Sequence, residues 1–234
     1  QFHWIYDKVL EREDCQLHIS TFMQNPFISK ALRQELLRLK ESDPDYWRIY
    51  GLGLRGQSRS LIFKFHLIDR VPDNARLLSY GLDFGFASDQ SALCATYVEG
   101  DNMYTKELLY EKGLTNQDLV KEFQKLGLDR RDEIYADSSE PKSIEEIHRM
   151  GWNIKGKKKY EINYGIDLVR RYKLHITKDS LNGIKELENY KYIEDRNNNP
   201  TNKPLDRFNH FCDSLRYSVV HKLSYPNYGR YAIK

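Results

Sequence analysis

The rhythm of apolar and polar positions changes near residue 77. Upstream of it, Leu32, Leu36 and Leu39 recur at helical spacing within residues 28–40. Asn25-Pro26 and Asp43-Pro44 punctuate that stretch on either side, which predicts one amphipathic helix. Downstream, Leu78, Tyr80, Leu82, Phe84 and Phe86 alternate with Ser79, Gly81, Asp83 and Gly85. A period of two predicts a strand with one strongly apolar face, and Asp83 falls on the other. Residues 91–98 and 103–110 are again strand-like and follow the short polar turns 87–90 and 99–102, so the first three strands read as an antiparallel meander.

Helical and strand patterns then alternate. Helices are expected over 116–126, 141–150, 162–172 and 181–188, with strands over 133–137, near Trp152 and over 174–176. The polar, turn-rich run 195–203 predicts the tip of a β-hairpin, and a closing helix runs over 205–222. Strands first and alternation afterwards predict an α/β fold, a mixed β-sheet with helices on both faces.

Length and charge narrow the function classes. A chain of 234 residues suffices for one large α/β domain, alone or with a fragment of a neighbour. A formal net charge of +3 is far from a polycation, so any contact with nucleic acid must come from a local basic patch. The lysine run Lys155, Lys157, Lys158 and Lys159, interleaved with Tyr160 and Tyr164, is such a candidate, with Arg196 on the hairpin tip as another; a solvated loop is the plainer reading of both. Cys15, Cys94 and Cys212 show no paired spacing, which argues against a disulfide framework or a zinc site and for a reducing cytoplasm. No run is apolar enough for a membrane span, and no signal peptide is recognisable. The run Gly51–Gly56 lacks the Lys-Ser/Thr ending of a phosphate-binding loop and reads as a connection.

Three aspartates carry the candidate chemistry. Asp83 interrupts an apolar strand between Gly81 and Gly85, whose missing side chains leave room beside the carboxylate for an ion and a phosphate. Asp137 ends a short strand, although a helix-initiating turn would explain it equally. On the closing helix, Leu205, Phe208, Cys212, Leu215 and Val219 form an apolar stripe. Asp206, His210, Asp213 and Tyr217 line the opposite side, where a solvated face is the competing reading. Two strand aspartates and one helical aspartate suit a phosphodiesterase that uses two divalent ions, Mg²⁺ or Mn²⁺. Hard ions prefer oxygen ligands, and one would activate water while the other stabilises the leaving oxygen.

These residues fall within three runs that resemble the nuclease motifs of the large terminase subunit of tailed bacteriophages. Tyr80-Gly-Leu-Asp-Phe-Gly85 resembles the first, Tyr135-Ala-Asp-Ser-Ser-Glu-Pro141 the second and Asn209-His-Phe-Cys-Asp-Ser-Leu-Arg-Tyr217 the third. The resemblance implies an RNase H-like domain that cuts concatemeric viral DNA during genome packaging. In it Asp83, Asp137 and Asp213 are the metal ligands and His210 orients a ligand or contacts phosphate. It further implies residues 1–70 as the end of an ATPase half with a helical linker, 71–224 as the nuclease and 225–234 as a tail. Its partners are double-stranded DNA, and a portal protein and small terminase subunit through the full-length protein, in the host cell cytoplasm. No Walker-type phosphate loop occurs in the chain, so no ATP hydrolysis is expected of it. Another RNase H-like nuclease, such as a resolvase or transposase core, shares the carboxylate logic. A docking module that grips DNA or the portal without cutting is the alternative of a different class.

Overall fold

The computed structural model describes residues 12–42, 47–54, 60–85, 89–157, 160–195, 200–207 and 209–224. Among these, the main sheet contains β1 (Phe65–Ile68), β2 (Arg76–Asp83), β3 (Gln90–Glu99), β4 (Asn102–Lys112), β5 (Ile134–Ala136), β6 (Ile154–Gly156) and β7 (Lys173–Thr177). Their spatial order is β1-β7-β4-β3-β2-β5-β6. The meander β2-β3-β4 is antiparallel, as its alternation and short turns predict, while β5 and β6 extend it in parallel on one side and β7 and β1 on the other. β8 (Tyr192–Glu194) and β9 (Pro200–Pro204) pair separately as the expected hairpin, whose tip at 196–199, with Arg196, lies outside the described residues.

The helices are α1 (Lys30–Ser42), α2 (Asn116–Lys125), α3 (Pro141–Arg149), α4 (Ile162–Arg170), α5 (Leu181–Leu187) and α6 (His210–Leu223). Those after the meander divide between the two faces of the sheet. On one face Leu119, Val120 and Phe123 of α2 and Ile147 of α3 pack on Tyr80, Leu82, Leu93 and Ile134. On the other, Ile166 and Val169 of α4, Leu187 of α5 and Phe211, Leu215 and Val219 of α6 pack on Cys94, Met103, Leu174 and Ile176. Apolar burial on both faces is what holds the sheet together. Among the described residues no helix is long and apolar enough to cross a membrane.

Two details depart from the sequence pattern and one sharpens it. The sheet starts before residue 71: β1 pairs in parallel with β7, and Ile62 and Phe63 are buried in the same core. The strand expected near Trp152 is β6, just after it, and the indole itself packs in the core, edge-on to Phe123 at 5.2 Å. The closing helix begins at His210, not 205, since the Leu205 N–H is already bonded to the Lys191 carbonyl at 2.8 Å beside the hairpin. Phe208 lies outside the described residues.

Candidate active site

The strand register alone places three of the candidate residues in a row. β2, β5 and β6 are neighbouring parallel strands in which Leu82 is opposite Ala136, and Ala136 opposite Gly156. One residue further, Asp83, Asp137 and Lys157 follow side by side at the carboxyl ends of the strands, spaced by the roughly 4.8 Å between strands. The carboxyl end of a parallel sheet is where α/β folds expose functional groups.

α6 brings the remaining residues to this row. Three contacts fix its alignment on β2. Ser79 Oγ donates to the Ser218 carbonyl at 2.6 Å, a Cβ on Gly81 would overlap the Ser214 carbonyl, and His210 Nδ1–H donates to Asp83 Oδ2 at 2.9 Å. Two residues of strand rise about 6.6 Å and four residues of helix about 6 Å, so the two elements stay matched as they run antiparallel. Gly81 is therefore a point of close helix approach and does not leave the room for an ion expected from the sequence. Gly85 likewise admits the backbone of Asp89 and Gln90, which any Cβ there would overlap. The polar stripe of α6 is not solvated either. From Phe211 to Val220 every residue except Asp213 is buried, and Asp213 and Tyr217 turn toward Asp83 and Asp137.

Each carboxylate is held by a different set of donors. Asp137 accepts from the Ser139 N–H at 3.1 Å and from the Tyr217 hydroxyl at 3.2 Å, with Lys157 Nζ at 3.6 Å. Asp213 accepts from Arg216 Nη2 at 2.7 Å and from Asn209 Nδ2 at 3.2 Å. Asp83 has His210. Burial is the main force on Asp83 and pushes its carboxyl up to about 6; the charges of Asp213 and Asp137 add to it and His210 opposes it. Asp213 is also raised, by burial first and against the pull of Arg216. Asp137 is pushed up by burial too, but the Ser139 amide, Lys157 and Tyr217 outweigh it and leave it below the ordinary carboxylate value. The Tyr217 hydroxyl, raised by its own burial, feels all three carboxylates, which shows how closely they converge.

A profile of the family described as "Terminase RNAseH like domain" matches residues 83–221, more than half of the chain and all three aspartates. The chain belongs to the terminase RNase H-like domain family. A second profile, "Phage terminase large subunit", matches residues 1–54. The PBSX phage terminase large subunit of Bacillus subtilis (strain 168) is 28% identical over 207 residues, covering 82% of this chain and 48% of that protein. The terminase large subunit of Bacillus phage SPP1 is 28% identical over 220 residues, covering 85% and 50%. The chain thus spans about half the length of these curated relatives. Among solved structures, the Mn-bound nuclease domain of the SPP1 large terminase superposes with a TM-score of 0.58 at 24% identity, covering 68% of this chain and 97% of that one. A large terminase from a thermophilic bacteriophage gives 0.57 at 20% identity, covering 93% and 59%. These likenesses establish the RNase H-like fold.

Within this terminase domain the structure gathers Asp83, Asp137, Asp213, His210 and Lys157. Lys155 sits two rows back, in an ion pair with Glu133 at 2.8 Å, and Glu133 also pairs with Lys222. Its charge is answered by a carboxylate there, which makes it a weaker phosphate contact than the lysine run implied. Lys158 and Lys159 lie outside the described residues. Asp206 precedes α6 and reaches the cluster through Asn209, whose Nδ2 donates to it at 3.4 Å. Sequence reasoning missed Arg216 and Asn209, the two partners of Asp213, and Tyr217 as the partner of Asp137. Their signal was present in the spacing, since Arg216 lies three residues after Asp213 and Asn209 four before it, both helical neighbours.

Proposed function

We propose that this terminase domain is a metal-dependent DNA endonuclease that cuts concatemeric viral DNA during genome packaging. The convergence of Asp83, Asp137 and Asp213 at one end of the sheet, under a helix that seals them from the core side, carries the reading. The donor chemistry fits hard divalent ions: three carboxylates share one place, and Asp83 is held near 6 because nothing fully offsets its burial and its neighbours. Among the described residues no group of three His, Cys, Asp or Glu side chains is arranged to hold an ion, and each of the three carboxylates is bonded to a donor of the chain itself. Asp83, Asp137 and Asp213 would hold two ions, Mg²⁺ or Mn²⁺. Such ions supply an activated water and charge stabilisation at the phosphodiester. The Mn bound in the SPP1 domain supports the use of a divalent ion.

The chain's own residues do the rest. His210 orients Asp83, Arg216 and Asn209 fix Asp213, and Tyr217 fixes Asp137. Lys157, over the Tyr217 ring at 5.1 Å and beside Asp137, is placed to meet a DNA phosphate, with Lys155, Lys158, Lys159 and Arg196 as further contacts along the path. As half of a large subunit, the domain would work beside an ATPase half that ends before the sheet begins at β1, a portal protein and a small terminase subunit in the host cell cytoplasm. Incubation with supercoiled plasmid tests the reading. Mn²⁺ or Mg²⁺ should give nicked and linear DNA, chelator none, and Asp83→Asn, Asp137→Asn and Asp213→Asn should each abolish cleavage while retaining the fold and metal-free DNA affinity. Full cleavage by one variant removes that residue from the site, and wild-type protein that binds plasmid without cutting under any metal establishes the docking module instead.

A further inference from the structure

The first turn of an α-helix has N–H groups with no partner inside the helix, and the residue just before it usually offers a side-chain acceptor. α6 does otherwise. Asn209 occupies that position and accepts no backbone N–H of the turn on its side chain. Its amide is committed to Asp213 at 3.2 Å and Asp206 at 3.4 Å. The acceptor comes from a different helix. Glu186, in the last turn of α5 and only 3% exposed, takes the Phe211 N–H at 2.7 Å and the Cys212 N–H at 3.1 Å on Oε2, and the hydroxyl of Tyr110, from β4, at 2.6 Å on Oε1. Gly183 lets the two helices approach this closely, since a Cβ there would stand 2.9 Å from the Phe211 ring. A buried carboxylate is tolerated only when its oxygens are satisfied, and two of the three bonds of Glu186 go to the turn that begins with His210 and ends one residue before Asp213.

We propose that Glu186, braced by Tyr110, is a positioning residue for the carboxylate site: it supplies the cap of α6 from a neighbouring helix and so frees Asn209 to hold Asp213. The inference rests on the nuclease reading above. What matters in it is the reach of an acceptor to two amides, not the charge. Glu186→Gln retains an oxygen that accepts both N–H groups and an amide NH2 that faces the Tyr110 oxygen, which can accept in turn. Glu186→Asp keeps the charge but is one methylene too short. The two conservative variants therefore separate the effects, and they decide the matter even where Glu186→Ala does not fold.

The experiment compares wild type, Glu186→Gln, Glu186→Asp and Glu186→Ala by Mn²⁺ titration followed by electron paramagnetic resonance, metal-free DNA affinity, melting temperature, and amide exchange at Phe211 and Cys212. Glu186→Asp should weaken Mn²⁺ binding roughly tenfold and speed exchange at both amides, with DNA affinity and the Mn²⁺ binding of Glu186→Gln staying within about twofold of wild type. Two results overturn the proposal. One is wild-type Mn²⁺ affinity in Glu186→Asp alongside a lowered melting temperature, which makes Glu186 scaffold only. The other is Glu186→Gln as impaired as Glu186→Asp, which makes the charge decisive. Wild-type protein that binds no Mn²⁺ and nicks no DNA is a different failure, that of the nuclease reading itself.

Discussion

Asp83→Asn should make the metal-free protein more stable, by an amount that depends on pH in a defined way. In the folded protein the Asp83 carboxyl is pushed up to about 6, by burial first and then by Asp213 and Asp137, with His210 pulling against them. In the unfolded chain it titrates near 3.9. Between those values the folded state holds a proton that the unfolded chain has released, so wild-type stability falls as pH rises from about 4 to about 6 and then stays at the lower level. A pKa difference of about 2 corresponds to about 3 kcal/mol once pH exceeds 6. Asparagine keeps the volume and carries no charge to be buried. Urea unfolding in the presence of chelator should therefore show the variant more stable by about 2–3 kcal/mol near pH 8, and by less than about 1 kcal/mol near pH 4. Mn²⁺ at one thousand times its Kd should reverse the order, because it adds about 4.1 kcal/mol to a protein that binds it only when folded, and the variant has lost a ligand. Equal stability of the two proteins near pH 8 without metal, or a less stable variant, would refute the description of Asp83 as a buried charge among like charges.

Other perturbations test other parts of the site. Gly81→Ala drives a methyl into the Ser214 carbonyl, where only backbone can yield, and should cost at least about 1–3 kcal/mol in urea unfolding while suppressing plasmid nicking. Arg216→Met leaves Asp213 buried without its cation and should cost about 3 kcal/mol near neutral pH; an unchanged midpoint would show that the pair contributes nothing. Ca²⁺ should bind the carboxylates yet support little nicking compared with Mn²⁺, because its looser coordination misplaces the attacking water, and efficient cutting with Ca²⁺ would contradict the two-ion reading. Replacing residues 196–202 by a tight Asn-Gly turn tests the hairpin as a flap over the DNA path. A changed nicking rate or salt dependence is expected, and no change in a folded protein would leave it a mere connection.

What the sequence disclosed follows from the range over which each interaction acts. The alternation in β2, the short turns of the meander and the helices that follow it depend on neighbours within a few residues, and those elements are where the pattern puts them. Asp83 was legible because a carboxylate in an apolar strand conflicts with its surroundings. β1 was not, because its four residues become a strand only by pairing with β7, far along the chain. The roles of Gly81 and Gly85 were misread for a related reason: a missing side chain marks space, but only the fold shows that backbone fills it. The competing reading of the closing helix, a solvated polar face, fails because a sheet lies on one side of α6 and α4 and α5 on the other, which buries even Ser214, Ser218 and Arg216. Glu186 carried no local signal, since its partners are amides of a different helix.

The seating of α6 also sets when the domain can act. It is the last helix among the described residues, and 127 residues separate His210 from Asp83. Contacts over such distances form late, after the cost of closing the intervening chain has been met. A ribosome that has delivered β2 and β5 has therefore made two of the three aspartates with no means of uniting them with the third. Under the nuclease reading, a chain in which α6 is not yet seated therefore has no complete site with which to cut DNA.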